Sequence, residues 1–200
     1  PKGDLNTMSG RDIVGGALAL YGSRTNVLIH NPETDKVDEV TLQKNGEEYK
    51  WIITKKNFSI KSEGRFFSPG NTKSIAHNKG YLDLIKFWSS NGYHLRYSGG
   101  MAPDCYHIFT REEGVFSSVS ALPHVDAKLR LLYECAPISY LIEKAGGLSS
   151  NGEMSVLDIK VDGYTQKCDI IVGSKEDVQR VERFLKAGKA GKSLLEDKTA

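Results

Sequence analysis

The sequence predicts an α/β protein in which helices cover both faces of a mixed β-sheet, a three-layer αβα architecture. Two observations lead to this prediction: short alternating or β-branched runs follow one another early in the chain, and later strands are interleaved with amphipathic helices. The length of 200 residues suits one domain with a substantial core. We expect residues 1–187 to form that domain and residues 188–200 to be a disordered tail.

The first predicted elements are a helix and an antiparallel meander. Ser9–Asp12 has the pattern of a capping box, and apolar residues recur at helical spacing as far as Gly22, which predicts a helix. Turn residues then separate three short strand-like runs, at residues 26–30, 37–42 and 48–54. The tetrapeptide Ser68-Pro69-Gly70-Asn71 has the residue order of a type II turn.

Strands and helices alternate in the rest of the chain. The predicted strands are residues 93–97, 114–119, 127–132 and 168–172. The predicted helices are residues 79–90, residues 102–111, a helix from about Glu134 to Gly146, and a last helix that opens with a second capping box at Ser174–Asp177. This alternation favours the layered fold.

Charge and hydropathy exclude two classes of partner. Lys and Arg number 27 against 25 Asp and Glu, a net charge of +2, which provides no extended basic surface for a nucleic acid. No apolar run approaches the roughly 18 to 20 residues that span a bilayer, so no membrane partner is expected.

The three cysteines indicate a reducing compartment. Cys105, Cys135 and Cys168 are odd in number and far apart, which fits neither a disulfide framework nor a zinc site. We expect buried free thiols and a cytoplasmic protein, with a plastid as the alternative. The chain begins at Pro1 with no initiator Met and no signal peptide, which we interpret as a trimmed piece.

Pro137 indicates where the most informative segment changes structure. Proline is tolerated in the first turn of a helix but not in its interior, so the helix begins near Glu134. Residues 127–132 are then extended, and alternation places Lys128 and Arg130 on one face, where they suit an anion. Glu134 can be presented to a metal ion or a substrate, or it can only stabilise the first turn of the helix.

Three other residues are candidates for binding. Arg96 and Tyr97 face opposite ways on the predicted strand. Near a two-fold interface Tyr97 could line its own site while Arg96 reaches the neighbour's; the alternative is a half-buried tyrosine and a solvated arginine. The Asn71 amide can bond a phosphate or merely close its turn. The five histidines show no metal-ligand spacing.

These residues lie in motifs that resemble the fructose-1,6-bisphosphatase family. The segment from Lys128 to Pro137, KLRLLYECAP, continues through LIEKAGG and resembles the carboxy-terminal signature of that family. The loop FSPGN and the segment RYSGGMAPD extend the resemblance, which covers roughly residues 9–186. The forms of these two segments resemble the sedoheptulose-1,7-bisphosphatases more than the fructose enzymes.

The resemblance implies a hydrolase of sugar bisphosphates that uses Mg²⁺. It implies removal of the C1 phosphate of sedoheptulose 1,7-bisphosphate, in the Calvin cycle or a related pathway, with fructose 1,6-bisphosphate as the alternative substrate. Two or three Mg²⁺ ions would polarise the phosphoryl group and lower the pKa of a bound water.

Residue roles follow from the same resemblance. Glu134 matches a metal-ligand glutamate. Arg96 matches an arginine offered by a neighbouring subunit, which implies a homodimer or homotetramer. Positions that hold the distal phosphate and the sugar match Asn71, Tyr97, Lys128 and Arg130.

Two departures from the family pattern are informative. Ser74 and Ser118 stand where the fructose enzyme typically has tyrosines, which favours the seven-carbon substrate. The Asp-Pro-x-Asp-Gly metal motif of the family belongs to an amino-terminal half that has no counterpart here. We therefore expect residues 1–187 to be a carboxy-terminal sugar-phosphate domain that needs the amino-terminal half as a partner. The alternative is a non-catalytic sugar-phosphate-binding module.

Overall fold

A computed structural model describes residues 7–195 of the chain. Near its start the chain forms a 3-10 turn at Gly10–Asp12, so the predicted helix is wrong. The capping box does form, since the Asp12 carboxylate accepts a hydrogen bond from the Ser9 backbone N–H at 2.8 Å. Gly15 and Gly16 disfavour a helix, and the following residues gain the hydrogen bonds of a sheet instead.

The predicted antiparallel meander is confirmed and gains one strand. Neighbouring strands pair antiparallel in the order β1-β2-β3-β4. The strands are β1 (Ala17–Tyr21), β2 (Thr25–Asn31), β3 (Lys36–Asn45) and β4 (Glu48–Lys55). β1 occupies part of the segment predicted as a helix.

A second, mixed sheet forms the centre of the fold. It contains β5 (Phe66–Gly70), β6 (His94–Leu95), β7 (Val115–Ser118), β9 (Leu148–Ser150) and β11 (Ile170–Gly173), in the order β6-β5-β7-β11-β9. β5 runs parallel to β6 and β7, whereas β11 runs antiparallel to β7 and β9. A separate two-stranded ribbon pairs β8 (Leu129–Arg130) with β10 (Lys167–Cys168), so the strand predicted at 168–172 is divided in two.

Helices cover both faces of the mixed sheet, as predicted. They are α1 (Lys79–Ser90), α2 (Met101–Arg111), α3 (Ala136–Lys144) and α4 (Lys175–Lys189). Phe67 and Ile171 of the sheet pack in one apolar cluster with α1 and α4. Phe116 and Val172 pack in a second cluster with α2, α3 and the inner face of the meander. No helix in residues 7–195 is long and apolar enough to cross a membrane.

Two local predictions are wrong because tertiary contacts replace the local ones. Residues 68–70 belong to strand β5, and the left-handed conformation falls on Asn71, with φ 50° and ψ 45°. Helix α4 begins as predicted after Ser174, but the Ser174 hydroxyl accepts from the Gly114 backbone N–H at 3.1 Å and forms no capping box.

The predicted tail begins inside helix α4. The helix continues to Lys189, whose ammonium group donates to the Glu153 carboxylate at 2.7 Å. Residues 196–200 of that predicted tail lie outside the described residues.

Candidate functional site

The predicted binding residues follow strands that end at one edge of the mixed sheet. β5, β6 and β7 are mutually parallel, so their carboxyl ends meet at the same edge. Asn71 follows β5, Arg96 and Tyr97 follow β6, and the segment that leads to Lys128 follows β7. Ligands of open α/β sheets bind outside the carboxyl ends of parallel strands. This edge is our candidate site.

Asn71 is buried at this edge, with 5% of its surface exposed. Its side-chain amide donates to the backbone carbonyls of Val119 at 2.8 Å and Asp126 at 3.3 Å. Its carbonyl oxygen Oδ1 is buried without a hydrogen-bond partner in the structure. Both donors of Asn71 are thus bound to the segment after β7.

Tyr97 and Arg96 are both exposed and follow β6 at this edge of the sheet. The Arg96 backbone N–H donates to the Phe67 carbonyl at 3.0 Å, and the Ser68 hydroxyl donates to the Arg96 carbonyl, which fixes this segment to β5. The Arg96 guanidinium lies 5.4 Å from the ring centroid of Phe66. Tyr97 has 49% of its surface exposed, so its ring is available to a ligand. Only His94–Leu95 of the predicted strand 93–97 is a strand.

Lys128, Arg130 and Glu134 surround the start of the third helix. Lys128 is exposed and Arg130 is half-buried, and the Arg130 guanidinium donates to the Lys128 carbonyl at 3.1 Å. The Glu134 carboxylate accepts from the Arg130 backbone N–H at 2.7 Å. A π-helical turn, Leu131–Cys135, precedes α3, so the helical segment begins earlier than predicted.

The metal-ligand and helix-stabilising interpretations of Glu134 both stay predictions. One carboxylate oxygen binds the first turn, as a purely stabilising residue would, and the half-buried side chain remains at the strand-to-helix junction. Within residues 7–195 no group of three His, Cys, Asp or Glu side chains is placed to hold a metal ion. Glu134 fits a metal cluster as one ligand, and further carboxylates would have to come from outside this part of the chain.

The sequence did not indicate that the hydroxyl groups of Tyr81 and Ser117 meet in the interior next to this sheet edge. The Tyr81 phenol donates to the Gly70 carbonyl at 3.1 Å and contacts the Ser117 hydroxyl at 3.1 Å. Burial raises the pKa of Tyr81, and electrostatic interaction with Tyr97 and Asp169 raises it further. Helical spacing indicates that Tyr81 is buried, but the sequence carries no signal for the carbonyls it binds.

Asp169 is a second residue that the sequence analysis missed. Its carboxylate accepts from the Ser120 backbone N–H and from the Ser120 hydroxyl, each at 2.8 Å. Burial raises the pKa of Asp169, and the two bonds from Ser120 oppose that shift. The available signal was an acidic residue inside a strongly apolar strand pattern, where a carboxylate is costly unless it is hydrogen-bonded.

The three cysteines are free, as predicted, but one is only half-buried. Cys105 and Cys135 are buried, whereas Cys168 is partly exposed. Burial raises the pKa of the Cys105 thiol. A hydrogen bond with Cys168, together with burial, raises the pKa of Cys135. These two thiols therefore pack as weakly acidic apolar groups in the core.

A large cleft lies outside the candidate site. Its volume is about 1150 Å³, and it runs between helix α4 and residues 119–122. None of the predicted binding residues lines this cleft. We place the candidate site at the sheet edge, where the predicted residues and the ends of parallel strands coincide.

Comparison with known proteins identifies the family. A sequence model described as "Fructose-1-6-bisphosphatase, C-terminal domain" matches residues 60–186. The chain belongs to the fructose-1,6-bisphosphatase family. The match begins after the meander, so β1 to β4 lie outside it.

Three relatives illustrate the similarity. The chain is 39% identical to the chloroplastic sedoheptulose-1,7-bisphosphatase of Spinacia oleracea, covering 98% of this chain and 49% of that protein. It is 34% identical to the class 1 fructose-1,6-bisphosphatase of Trichlorobacter lovleyi, covering 92% of this chain and 56% of that protein. The crystal structure of Leishmania major fructose-1,6-bisphosphatase superposes with a TM-score of 0.79 at 28% identity, covering 90% of this chain and 56% of that chain. The chain spans about half the length of the curated relatives it matches.

Proposed function

We propose that this chain is the sugar-phosphate part of a metal-dependent phosphatase that hydrolyses the C1 phosphate of sedoheptulose 1,7-bisphosphate. The observation that carries the proposal is the placement of the family-matching residues Asn71, Tyr97 and Lys128 after strands that end at one sheet edge. Family membership supplies the chemical class of the reaction.

The Lys128 ammonium group supplies positive charge at the distal phosphate, and the Tyr97 ring lines the part of the site that holds the sugar. An exposed ammonium group is free to meet a phosphate, and the Arg130 guanidinium adds positive charge nearby. Among residues 7–195, Glu134 is the ligand that we propose for the metal cluster. Mg²⁺, when bound, would polarise the phosphoryl group and activate a water molecule.

An amino-terminal half is proposed as the partner that completes the metal site. Strand β4 is exposed along nearly its whole length, and its large apolar side chains include Tyr49, Trp51, Ile52 and Ile53. Exposed apolar patches of this kind mark interaction surfaces. We propose that the amino-terminal half covers this strand.

The choice of the seven-carbon substrate is supported by two small side chains. Ser118 ends β7 at the candidate edge, where a tyrosine would occupy more of the space. Ser74 is fully buried, and its hydroxyl donates to the Asn71 carbonyl at 2.9 Å. The similarity to the Trichlorobacter lovleyi enzyme favours fructose 1,6-bisphosphate as the second candidate.

The experiment is Glu134→Gln in the full-length protein that contains this chain. We expect Mg²⁺-dependent phosphate release from sedoheptulose 1,7-bisphosphate to fall by at least about 100-fold, because the amide lacks the charge that a metal ligand supplies. The matched control is Glu47→Gln, which changes an exposed residue of the β3–β4 turn.

Three results separate the alternatives. Unchanged activity in the Glu134→Gln protein contradicts the metal assignment. If the unmodified protein turns over fructose 1,6-bisphosphate faster than sedoheptulose 1,7-bisphosphate, the six-carbon sugar is the substrate. Binding of sugar phosphates without hydrolysis indicates a non-catalytic module.

A further inference from the structure

The connection between strand β6 and helix α2, residues 96–100, carries Tyr97 at the candidate edge. None of its residues belongs to a helix or a sheet strand. We call it the β6–α2 segment. About half of the Tyr97 surface is exposed, so packing around the ring does not by itself fix the side chain. The hydrogen bonds of the residues on either side of Tyr97 therefore matter for its position.

On its amino-terminal side, Tyr97 follows a residue that is fixed to the sheet. The Arg96 backbone N–H donates to the Phe67 carbonyl at 3.0 Å, and the Ser68 hydroxyl donates to the Arg96 carbonyl. Both partners belong to strand β5. The chain is thus held to the centre of the mixed sheet as far as Arg96.

On the carboxyl-terminal side, a carboxylate of helix α2 holds the chain. The Ser98 backbone N–H donates to Oδ1 of Asp104 at 2.8 Å. Asp104 lies in the first turn of α2, and only 4% of its surface is exposed. Tyr97 therefore lies between two anchored residues, one bound to β5 and the other bound to α2.

The other hydrogen bonds of the β6–α2 segment have different effects. The Ser98 hydroxyl donates to the Gly100 carbonyl at 3.3 Å and accepts from the Gly100 N–H at 3.2 Å, which shapes the turn without joining it to another element. The Gly100 carbonyl also accepts from the Asp104 backbone N–H at 3.2 Å, as the first bond of α2. Gly99, with φ 87°, separates this bond from Ser98. The Asp104 carboxylate is thus the side chain that ties Ser98 to the helix.

A buried carboxylate is a costly way to stabilise this helix. The second oxygen of Asp104, Oδ2, is buried without a hydrogen-bond partner among the described residues, and an unpaired buried polar atom destabilises a fold. An acidic residue in a first turn gains from the helix dipole, but an exposed one gains in the same way. What burial adds at Asp104 is the bond to Ser98, which is strengthened by the charge of the acceptor.

We propose that Asp104 is a positioning residue that holds Tyr97 at the sheet edge by binding the Ser98 backbone N–H. The proposal rests on the proposed function in one respect, the contact of the Tyr97 ring with the sugar. Asp104 acts through Tyr97 and makes no contact of its own with the substrate.

The test is a double-mutant cycle in the full-length protein, with Asp104→Leu and Tyr97→Ala. Leucine fills much of the same space but accepts no hydrogen bond. We expect Asp104→Leu to raise KM for the bisphosphate by about tenfold and to change kcat by less than about twofold. In the Tyr97→Ala protein the same substitution should change KM by less than about twofold. An equal rise in KM in both backgrounds overturns the proposal.

A conservative variant and a matched control separate this role from a general folding defect. Asp104→Asn keeps the acceptor Oδ1, so its KM should stay within about threefold of the unmodified value. An asparagine variant as impaired as the leucine variant contradicts the proposal. The control is Asp83→Leu, which removes an equally buried carboxylate of α1 that binds Lys79. It should leave KM unchanged, and a rise equal to that of Asp104→Leu also counts against the proposal.

Amide hydrogen exchange in the full-length protein makes the inference independent of activity. Exchange at the Ser98 N–H should be faster in the Asp104→Leu protein than in the unmodified, Asp104→Asn and Asp83→Leu proteins. Unchanged exchange at Ser98 in the leucine variant contradicts the role of Asp104, whatever the enzyme does. An unmodified protein that hydrolyses no sugar bisphosphate contradicts the proposed function, while exchange at Ser98 still tests how the segment is held.

Discussion

Asp177 is a fully buried carboxylate at the start of helix α4. It accepts hydrogen bonds from the Gly64 backbone N–H at 2.8 Å, the Tyr93 phenol at 3.1 Å and the Arg180 guanidinium at 2.5 Å. Burial raises the pKa of Asp177 to about 6, although these bonds oppose the shift. The folded protein therefore binds a proton here more tightly than the unfolded chain does.

This linkage predicts how Asp177→Asn changes the pH dependence of stability. Because the folded pKa lies above the unfolded one, the contribution of Asp177 is greatest below about pH 4 and is lost as the pH rises through about 6. From pH 4 to pH 7 the unfolding free energy of the unmodified protein should fall by about 1–3 kcal/mol relative to that of the asparagine variant. Urea unfolding at several pH values measures this difference.

The control for this prediction is Asp162→Asn, which changes an exposed carboxylate. If the unfolding free energies of the unmodified and Asp177→Asn proteins change equally with pH, Asp177 has the same pKa in the folded and the unfolded state. The variant also leaves the Arg180 guanidinium buried beside a neutral partner, so its stability near pH 7 reflects that loss as well.

At the scale of elements, the approach of α3 to strands β9 and β11 depends on Gly147. A Cβ atom at this position would lie 2.5 Å from the Gly173 carbonyl oxygen and 2.7 Å from a methyl carbon of Ile142. No side chain fits there unless β11 and the end of α3 separate. The glycine therefore sets how closely the helix and the sheet pack.

We expect Gly147→Ala to lower the free energy of unfolding by about 1–3 kcal/mol, since overpacking displaces both elements. Urea unfolding of this chain measures the effect. Gly15→Ala is the matched control, because no atom lies within 4 Å of a Cβ atom placed there. Equal stability of the two variants would show that the contact relaxes without cost.

At the scale of the whole molecule, Arg96 is the residue proposed to act on a neighbouring subunit. It is exposed at the same sheet edge as Tyr97, and its backbone is fixed to β5 through Phe67. Symmetric dimers bring identical surfaces together, so one copy can complete the site of the other. On this ground we propose a homodimer or homotetramer.

Mixed oligomers of full-length Arg96→Ala and Lys128→Ala proteins test this role. If Arg96 serves the neighbouring site, a dimer of the two variants contains one site with both defects and one intact site. Such hybrids should regain about half of the activity of the unmodified dimer. If Arg96 serves its own subunit, every site in the hybrid carries one defect and activity is not regained.

Much of the fold could be predicted because the signals are local. The helices α1 and α4 have apolar residues at helical spacing between clear breakers, and the structure contains both. The segment before Gly22 has the same spacing, yet it forms β1 because β2 offers it a complete set of sheet hydrogen bonds. Residues 68–70 have turn chemistry, yet they pair with β7 in the centre of the sheet.

The sequence by itself determined the family, the layered α/β class and the candidate residues Asn71, Arg96, Tyr97, Lys128, Arg130 and Glu134. Only the tertiary structure decided what Asn71 binds, because its partners Val119 and Asp126 lie 48 and 55 residues away. Residue types and their spacing define the donors and acceptors that a chain carries. The fold decides which of them meet, and here it directs an amide to the loop that carries a lysine.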